Sequence, residues 1–227
     1  MVKNVKLFGK SLEIEIRSDA DHSVFEEIFV DRDYKILDDV IKKADCPIVD
    51  IGAHIGCFSI YASVLNPSAR VFAFEPEEEN FKTLKENLKL NSIKNVIAKN
   101  LAVYGVSGVR DLYISKDSHN NSFVLREENS KKVNCVDFGS LIERFFVKGG
   151  YKFFSLVKMD CEGSEFSIFE NFKREWFSFV KVFYIEYHEF SPEMKKDFII
   201  NLLKKNRYEV SVVPSFYDKR MGFITAY

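Results

Sequence analysis

The sequence predicts one doubly wound α/β domain, a mostly parallel seven-stranded sheet with helices on both faces. Three observations lead there. From residue 46 onward, short apolar runs alternate with stretches whose apolar residues recur at helical spacing, the pattern of a parallel sheet. The chain closes on two strand-like runs joined by a short polar turn, too short for a parallel crossover, so the last strand must run antiparallel. A glycine turn follows the first strand of the alternation, where such sheets bind ligands.

The elements follow in order. Residues 3–7 and 12–17 read as two short strands, with a polar link into the 24–30 segment. Ile36, Leu37, Val40 and Ile41 predict a helix over 34–44, ending near Pro47. The first core strand is 46–52, with a helix over 56–65. The second is 70–75, before a helix with Phe81, Leu84 and Leu88 on one face. The third is 95–103, the fourth 156–161, followed by a helix through Phe166 and Phe169, and the fifth 180–187. Ser191 is the expected N-cap of the next helix and Pro192 its first residue, with Met194, Phe198, Leu202 and Leu203 as its apolar stripe. Strands at 208–213 and 222–227 finish the chain. Residues 104–154 interrupt the alternation with strands near 109–115 and 132–136 and a helix near 141–146. They read as an insertion between the third and fourth strands of a single domain spanning 1–227. Residues 1–45 form an N-terminal extension, and 46–227 the sheet core.

The formal charge of −1 leaves no global field for nucleic acid or anionic lipid. No run approaches the ~20 apolar residues of a membrane span, and no leader-like segment begins the chain, so neither nucleic acid nor membrane is an expected partner and a cytoplasmic location is expected. Cys46, Cys57, Cys135 and Cys161 are scattered, without a CxxC pair, as reduced thiols are.

The turn after the first core strand reads Val49-Asp50-Ile51-Gly52-Ala53-His54-Ile55-Gly56. Gly52 permits a tight turn with close approach of a ligand, Gly56 opens the helix, and Asp50 puts a carboxylate at the strand end. A dinucleotide fingerprint would need glycines where His54 and Cys57 stand. The turn suits a ligand carrying an amino group instead of phosphates, as S-adenosylmethionine does. Glu75 ends the second strand, where an acid accepts hydrogen bonds from ribose hydroxyls.

With Phe74-Glu75-Pro76 followed by Asn80 and Phe81, and Lys158-Met159-Asp160-Cys161-Glu162-Gly163-Ser164-Glu165, this turn resembles the FkbM-like class I methyltransferases over about residues 48–190. The resemblance implies a Rossmann-like methyltransferase fold with strand order 3-2-1-4-5-7-6, S-adenosylmethionine as methyl donor, and O-methylation of a hydroxyl on a sugar or small natural product. It also implies that Asn100-Leu101-Ala102-Val103 borders the adenine. The cofactor set is then Asp50, Gly52, Ala53, His54, Gly56, Glu75, Pro76, Asn100, Ala102 and Asp160. Asp137-Phe138-Gly139-Ser140-Leu141 departs from the family's usual Thr-Leu-Asp-Asp-like start.

Methyl transfer to a hydroxyl needs an in-line approach and a base for the proton. Asp160 and Glu162, two residues apart, would share a face at the tip of the fourth strand. Glu162 has a second reading, bracing loops through backbone hydrogen bonds. Glu165 reads as an acid at a helix start. Glu186 and His188 share a face at the end of the fifth strand. His188 is a candidate base, or a histidine satisfied by Glu186 itself. The candidate catalytic residues are therefore Asp160, His188 and Glu162. Asp160 and Glu186 would suit magnesium, but no third ligand stands out, so no metal is expected. His54 lines the turn, and His22 and His119 have no specific role. The Phe-rich segments 145–146, 153–154 and 166–179 read mainly as core. Glu26, Phe29 and Tyr34 are expected to fold over the cofactor as a partial lid. An NAD-dependent oxidoreductase, a non-catalytic nucleoside-binding module, and an N-methylating or protein-directed methyltransferase are the competing readings.

Overall fold

The computed structural model describes residues 1–115, 121–144, 149–216 and 218–227. The chain opens with an antiparallel hairpin, β1 (Val2–Leu7) and β2 (Lys10–Glu15), closed by Phe8 and Gly9, both at positive φ. That is the two-residue turn whose twist suits a hairpin. The hairpin rests on a later helix: Asn87 and Asn91 accept the Glu15 and Glu13 amides at 2.7 and 2.9 Å. Ser18 then caps α1 (Asp19–Phe25) by accepting the Asp21 amide at 3.2 Å. The helix widens into a π-turn over Glu26–Asp31. The expected helix over 34–44 is two pieces, a 3-10 turn (Asp33–Leu37) and α2 (Asp38–Lys42). Asp38, at the break, is held by tertiary partners, the Arg32 guanidinium and the Tyr61 hydroxyl.

The alternation follows: β3 (Ile48–Ile51), α3 (Cys57–Leu65), β4 (Val71–Phe74), α4 (Glu78–Leu90) and β5 (Val96–Lys99). Here the expected third strand divides. Asn100 donates its amide to the carbonyls of Glu75 (3.0 Å) and Pro76 (2.9 Å), which bends the chain away after Lys99. The next three residues, β6 (Ala102–Tyr104), join a separate three-stranded sheet with β7 (Gly108–Tyr113) and β8 (Ser130–Asp137), in the order β6-β8-β7. Asp137 caps α5 (Phe138–Ile142), which starts earlier than the expected 141–146.

The chain re-enters the main sheet as β9 (Leu156–Met159), then α6 (Ser164–Glu170), β10 (Phe183–His188), α7 (Lys196–Lys205), β11 (Val210–Pro214) and β12 (Met221–Ala226). The apolar stripe placed before β11 needs correcting. The α7 helix begins after Lys195, not at Pro192, and Phe198 is exposed, whereas Ile199, Ile200 and Leu203 are buried. Ile199 and Leu203 are four apart, one helical turn, so they share the face that packs inward, and Phe198 lies off it.

The sheet order is β5-β4-β3-β9-β10-β12-β11, with β12 alone running against the direction of the others. Counted along the chain, the core strands lie 3-2-1-4-5-7-6. Successive residues face opposite layers. Ile48, Val71, Ala73, Leu156 and Tyr184 pack with α3 and the N-terminal elements. Val49, Phe72, Phe74, Val157, Phe183 and Ile185 pack with α5, α6 and α7. Strand order reverses between β3 and β9, and the cavity opens there.

Candidate active site

A cavity of about 800 Å³ lies at the carboxyl ends of β3, β4 and β9. Its floor is the turn after β3. Gly52 has φ +77°, and a Cβ there would stand 1.7 Å from the carbonyl oxygen of Asp160, so only glycine lets β3 abut β9 at this point. The amides of Gly52 and Ala53 both donate to the Phe74 carbonyl at 3.0 Å, and that of Gly56 donates to Ala53 at 2.8 Å. The His54 amide donates to Glu75 Oε2 at 2.8 Å, with His54 at positive φ. These four amides are thus consumed within the protein, the opposite of a phosphate-cradling loop.

Glu75 also accepts the Glu77 amide at 2.9 Å on its other oxygen. Burial nevertheless pushes its carboxyl up to about 7. Gly52, Ala53, His54, Glu75, Pro76, Ala102 and Asp160 line the cavity, as the sequence reading expects. Three other residues named with them serve the framework. Gly56 is the N-terminal cap of α3, where an added Cβ would meet Leu84 at 3.0 Å. Asn100 clamps the Glu75-Pro76 backbone. Asp50 is fully buried beneath the turn, accepting from Ser59 Oγ at 2.6 Å, with Lys158 Nζ 3.4 Å away.

Lys158 ties two strands together. Its ammonium donates to the Gly52 carbonyl at 3.1 Å and lies 3.3 Å from Asp160 Oδ2. Burial works against its charge, but Asp160 and Asp50 outweigh that and hold its pKa above the usual range. Asp160 stays low for the reciprocal reason, Lys158 and His188 overcoming its burial.

Beyond Asp160 the chain turns through Glu162 and Gly163, both at positive φ. A non-glycine residue in this conformation stores strain, and it persists because Ser122 Oγ, from the insertion, donates to the Glu162 carbonyl at 2.6 Å. Burial, only partly offset by His188, pushes the Glu162 carboxyl up to about 8. Glu162 lines the cavity. His188 does not: it is 1% exposed and lies behind Glu162, with Nε2 3.7 Å from Glu162 and 3.8 Å from Glu186, and Nδ1 3.4 Å from Glu165. Glu165 is likewise buried, accepting the Cys161 amide at 2.9 Å, so it is more than an exposed acid at a helix start.

The N-terminal elements form one wall. Of the three residues expected to cover the site, Tyr34 lines the cavity, Glu26 is exposed and Phe29 is core. Val24, Glu27 and Ile28 line it instead, because positions i, i+3 and i+4 share a helix face. Burial and the nearby Asp160 push the Glu27 carboxyl up to about 7. Sequence reasoning also missed Asp21. It is fully buried, accepts from Arg17 at 2.8 and 3.0 Å, and lies 3.3 Å from His54 Nε2, joining α1 to the glycine turn. The Ser18-x-x-Asp21 capping pattern was the only local signal. The insertion supplies Leu112, Asn121 and Phe123 to the opposite wall.

Phe154, Phe166, Phe169, Phe172 and Phe177 are core, and the aromatic residues of the cavity are Tyr34, Phe58, Phe74 and Phe123. Phe145, Phe146 and His119 lie outside the described residues. All four cysteines are free thiols. Among the described residues no helix is long and apolar enough to cross a membrane.

A cavity at the switch point of a seven-stranded sheet with one reversed strand is the architecture of the Rossmann-like methyltransferases. The S-adenosylmethionine-dependent methyltransferase of Agrobacterium tumefaciens superposes with a TM-score of 0.50 at 10% identity, covering 99% of this chain and 69% of that one. The methyltransferase FkbM of Methylobacillus flagellatus gives 0.54 at 17% identity, covering 80% and 43%. The model of the methyltransferase FkbM domain matches residues 50–210, and the chain belongs to that family. Methyltransferase sdnD of Sordaria araneosa is 26% identical over 193 residues, 72% of this chain and 73% of its own. The hexuronic acid methyltransferase AglP of Haloferax volcanii is 28% identical over 149 residues, 63% and 59%. The 31-O-demethyl-FK506 methyltransferase FkbM of Streptomyces tacrolimicus is 30% identical over 95 residues, 42% and 36%. The chain thus spans well under two thirds of the last two.

Proposed function

We propose that the protein is an S-adenosylmethionine-dependent O-methyltransferase acting on a hydroxyl of a sugar or small natural product. One observation carries the reading. The cavity presents Glu27, Glu75, Asp160 and Glu162 as acids, while the amides of Gly52, Ala53, His54 and Gly56 in its glycine turn are already bonded. That fits a cationic nucleoside cofactor and disfavours a pyrophosphate, and with it an NAD-dependent oxidoreductase. When bound, the cofactor supplies a methyl group on a sulfonium, whose departure leaves a neutral thioether.

The chain's residues then divide the work. Glu75 takes the ribose hydroxyls, Ala102 and Val103 border the base, and Ala53 and His54 hold the cofactor against the turn. Asp160 stands at the methyl-donor end. Glu162, facing the cavity with His188 behind it, receives the acceptor's proton. The N-terminal segment covers the site as a lid through Val24, Glu27, Ile28 and Tyr34. Relatives named for a 31-O-demethyl compound and a hexuronic acid support an oxygen acceptor. One observation favours N-methylation of a cationic amine instead. A surface groove lined by Asp31, Asp33, Glu27 and Glu186 is acidic.

Calorimetry with S-adenosylhomocysteine and NADH tests the cofactor, with binding of the first alone expected. Incubation with labelled S-adenosylmethionine and panels of polyols and amines tests the acceptor. Binding of NADH but not S-adenosylhomocysteine would sink the proposal.

A further inference from the structure

S-adenosylmethionine carries a carboxylate beside its cationic groups, and a cavity walled by acids must still receive it. The amides of Gly52, Ala53, His54 and Gly56, which could otherwise hold an anion, are bonded within the protein. Among the described residues that line the cavity, only Lys158 and His54 have side chains able to carry positive charge. Lys158 is already occupied. Its ammonium donates to the Gly52 carbonyl at 3.1 Å and lies 3.3 and 3.4 Å from Asp160 and Asp50. That leaves His54.

The fold directs this side chain. The His54 backbone is left-handed, with φ +49°, a strained conformation for a residue other than glycine and one that clusters at functional sites. The side chain is 11% exposed, and its Nε2 stands 3.3 Å from Asp21 Oδ1. Asp21 is fully buried and shared with Arg17, whose amide and guanidinium reach it at 2.8, 3.0 and 3.2 Å. Burial works against the Asp21 charge, but the Arg17 bonds and the field of His54 hold its carboxyl below the usual range. Asn80, on α4, braces the arrangement by accepting from the Arg17 guanidinium at 2.7 Å. One carboxylate thus stands between a guanidinium and an imidazole. With the imidazole protonated the three groups carry a net positive charge, and His54 is the one that lines the cavity.

We propose that His54, kept protonated and oriented by Asp21, receives the carboxylate of the cofactor's methionine part, with Asp21 as its positioning residue. This rests on the S-adenosylmethionine reading above and adds a division of charge to it. The acids of the cavity face the cofactor's cationic groups. The N-terminal extension, through Asp21 on α1, sets the cation that its anionic group requires.

The test is calorimetry of the full chain, without acceptor, using S-adenosylmethionine and its decarboxylated analogue, which differ in this carboxylate. The parent is expected to bind S-adenosylmethionine roughly tenfold or more tighter than the analogue, the weight of one charge-assisted hydrogen bond. His54→Gln and Asp21→Asn are each expected to remove most of that preference while binding the analogue as the parent does. Equal weakening of both ligands in the variants, the result of a merely structural role, would overturn the assignment. So would a parent that binds the two ligands equally, or variants that keep the full preference. Should Asp21→Asn fail to fold, the parent and His54→Gln still decide. A parent that binds neither ligand would strike the proposed function itself, whereas each of the other adverse results leaves the cofactor reading standing.

Discussion

The His54 amide donates to Glu75 Oε2 at 2.8 Å, so the turn after the first core strand and the acid ending the second form one rigid unit. Its other oxygen is held by the Glu77 amide. An acid pinned at both oxygens cannot swing away.

Replacing Glu75 with Ala is therefore expected to weaken S-adenosylhomocysteine binding by about 1.5–3 kcal/mol, roughly 10- to 150-fold, for each charge-assisted bond lost. Calorimetry measures it, and an affinity within twofold of the parent would refute the role.

Glu75 also predicts a pH dependence. Burial raises its carboxyl from an ordinary 4.5 to about 7, so the folded chain holds this proton more tightly than the unfolded one. Its contribution to the stability of the cofactor-free protein is complete below about 4.5 and is lost as pH rises to about 7. On its proposed role as acceptor of ribose hydroxyls, cofactor affinity is expected to run the other way, climbing with ionisation and levelling above about 7. Glu75→Gln should flatten both profiles, read by thermal melts and calorimetry from pH 5 to 9.

Gly52→Ala is expected to damage both fold and site. The added Cβ would lie 1.7 Å from backbone, at φ +77°. Strain of this kind costs on the order of 1–3 kcal/mol before the clash is counted. A fall in melting temperature with loss of S-adenosylhomocysteine binding is expected, and an unchanged melt would contradict the tight β3–β9 contact.

Lys158→Met would leave Asp50 and Asp160 without their shared cation. Removing one partner of a buried ion pair costs about 3–5 kcal/mol. Because Asp50 is wholly buried, adding Asp50→Asn should recover part of that loss. Urea unfolding of the single and double variants decides it, and strictly additive losses would show that the two do not act together.

Phe169→Ala separates core from cavity. Phe169 is buried against Phe172, Phe177 and Phe183 and does not line the site. The expected cost is about 3–5 kcal/mol in stability, with S-adenosylhomocysteine affinity unchanged in the folded protein. A selective loss of affinity would reassign the residue.

The local sequence determined the alternation, the reversal of the last strand, the glycine turn and the acids at the strand ends. Each of these depends on periodicity or on what one backbone position tolerates, which neighbours in the chain reveal. Tertiary structure decided the rest. Asp50 looks like a ligand-binding strand-end acid, but the pairing of β3 with β9 sets Lys158 beside it and buries it. Asn100 turns out to bend the chain and divide a strand, because the carbonyls it bonds come from the segment after β4. Asp21 and Glu27 reach the site only once α1 packs over it. Asp160, Glu186 and His188 are neighbours because β9 and β10 lie side by side in the sheet, and which strands become neighbours is settled by the packing of the whole sheet.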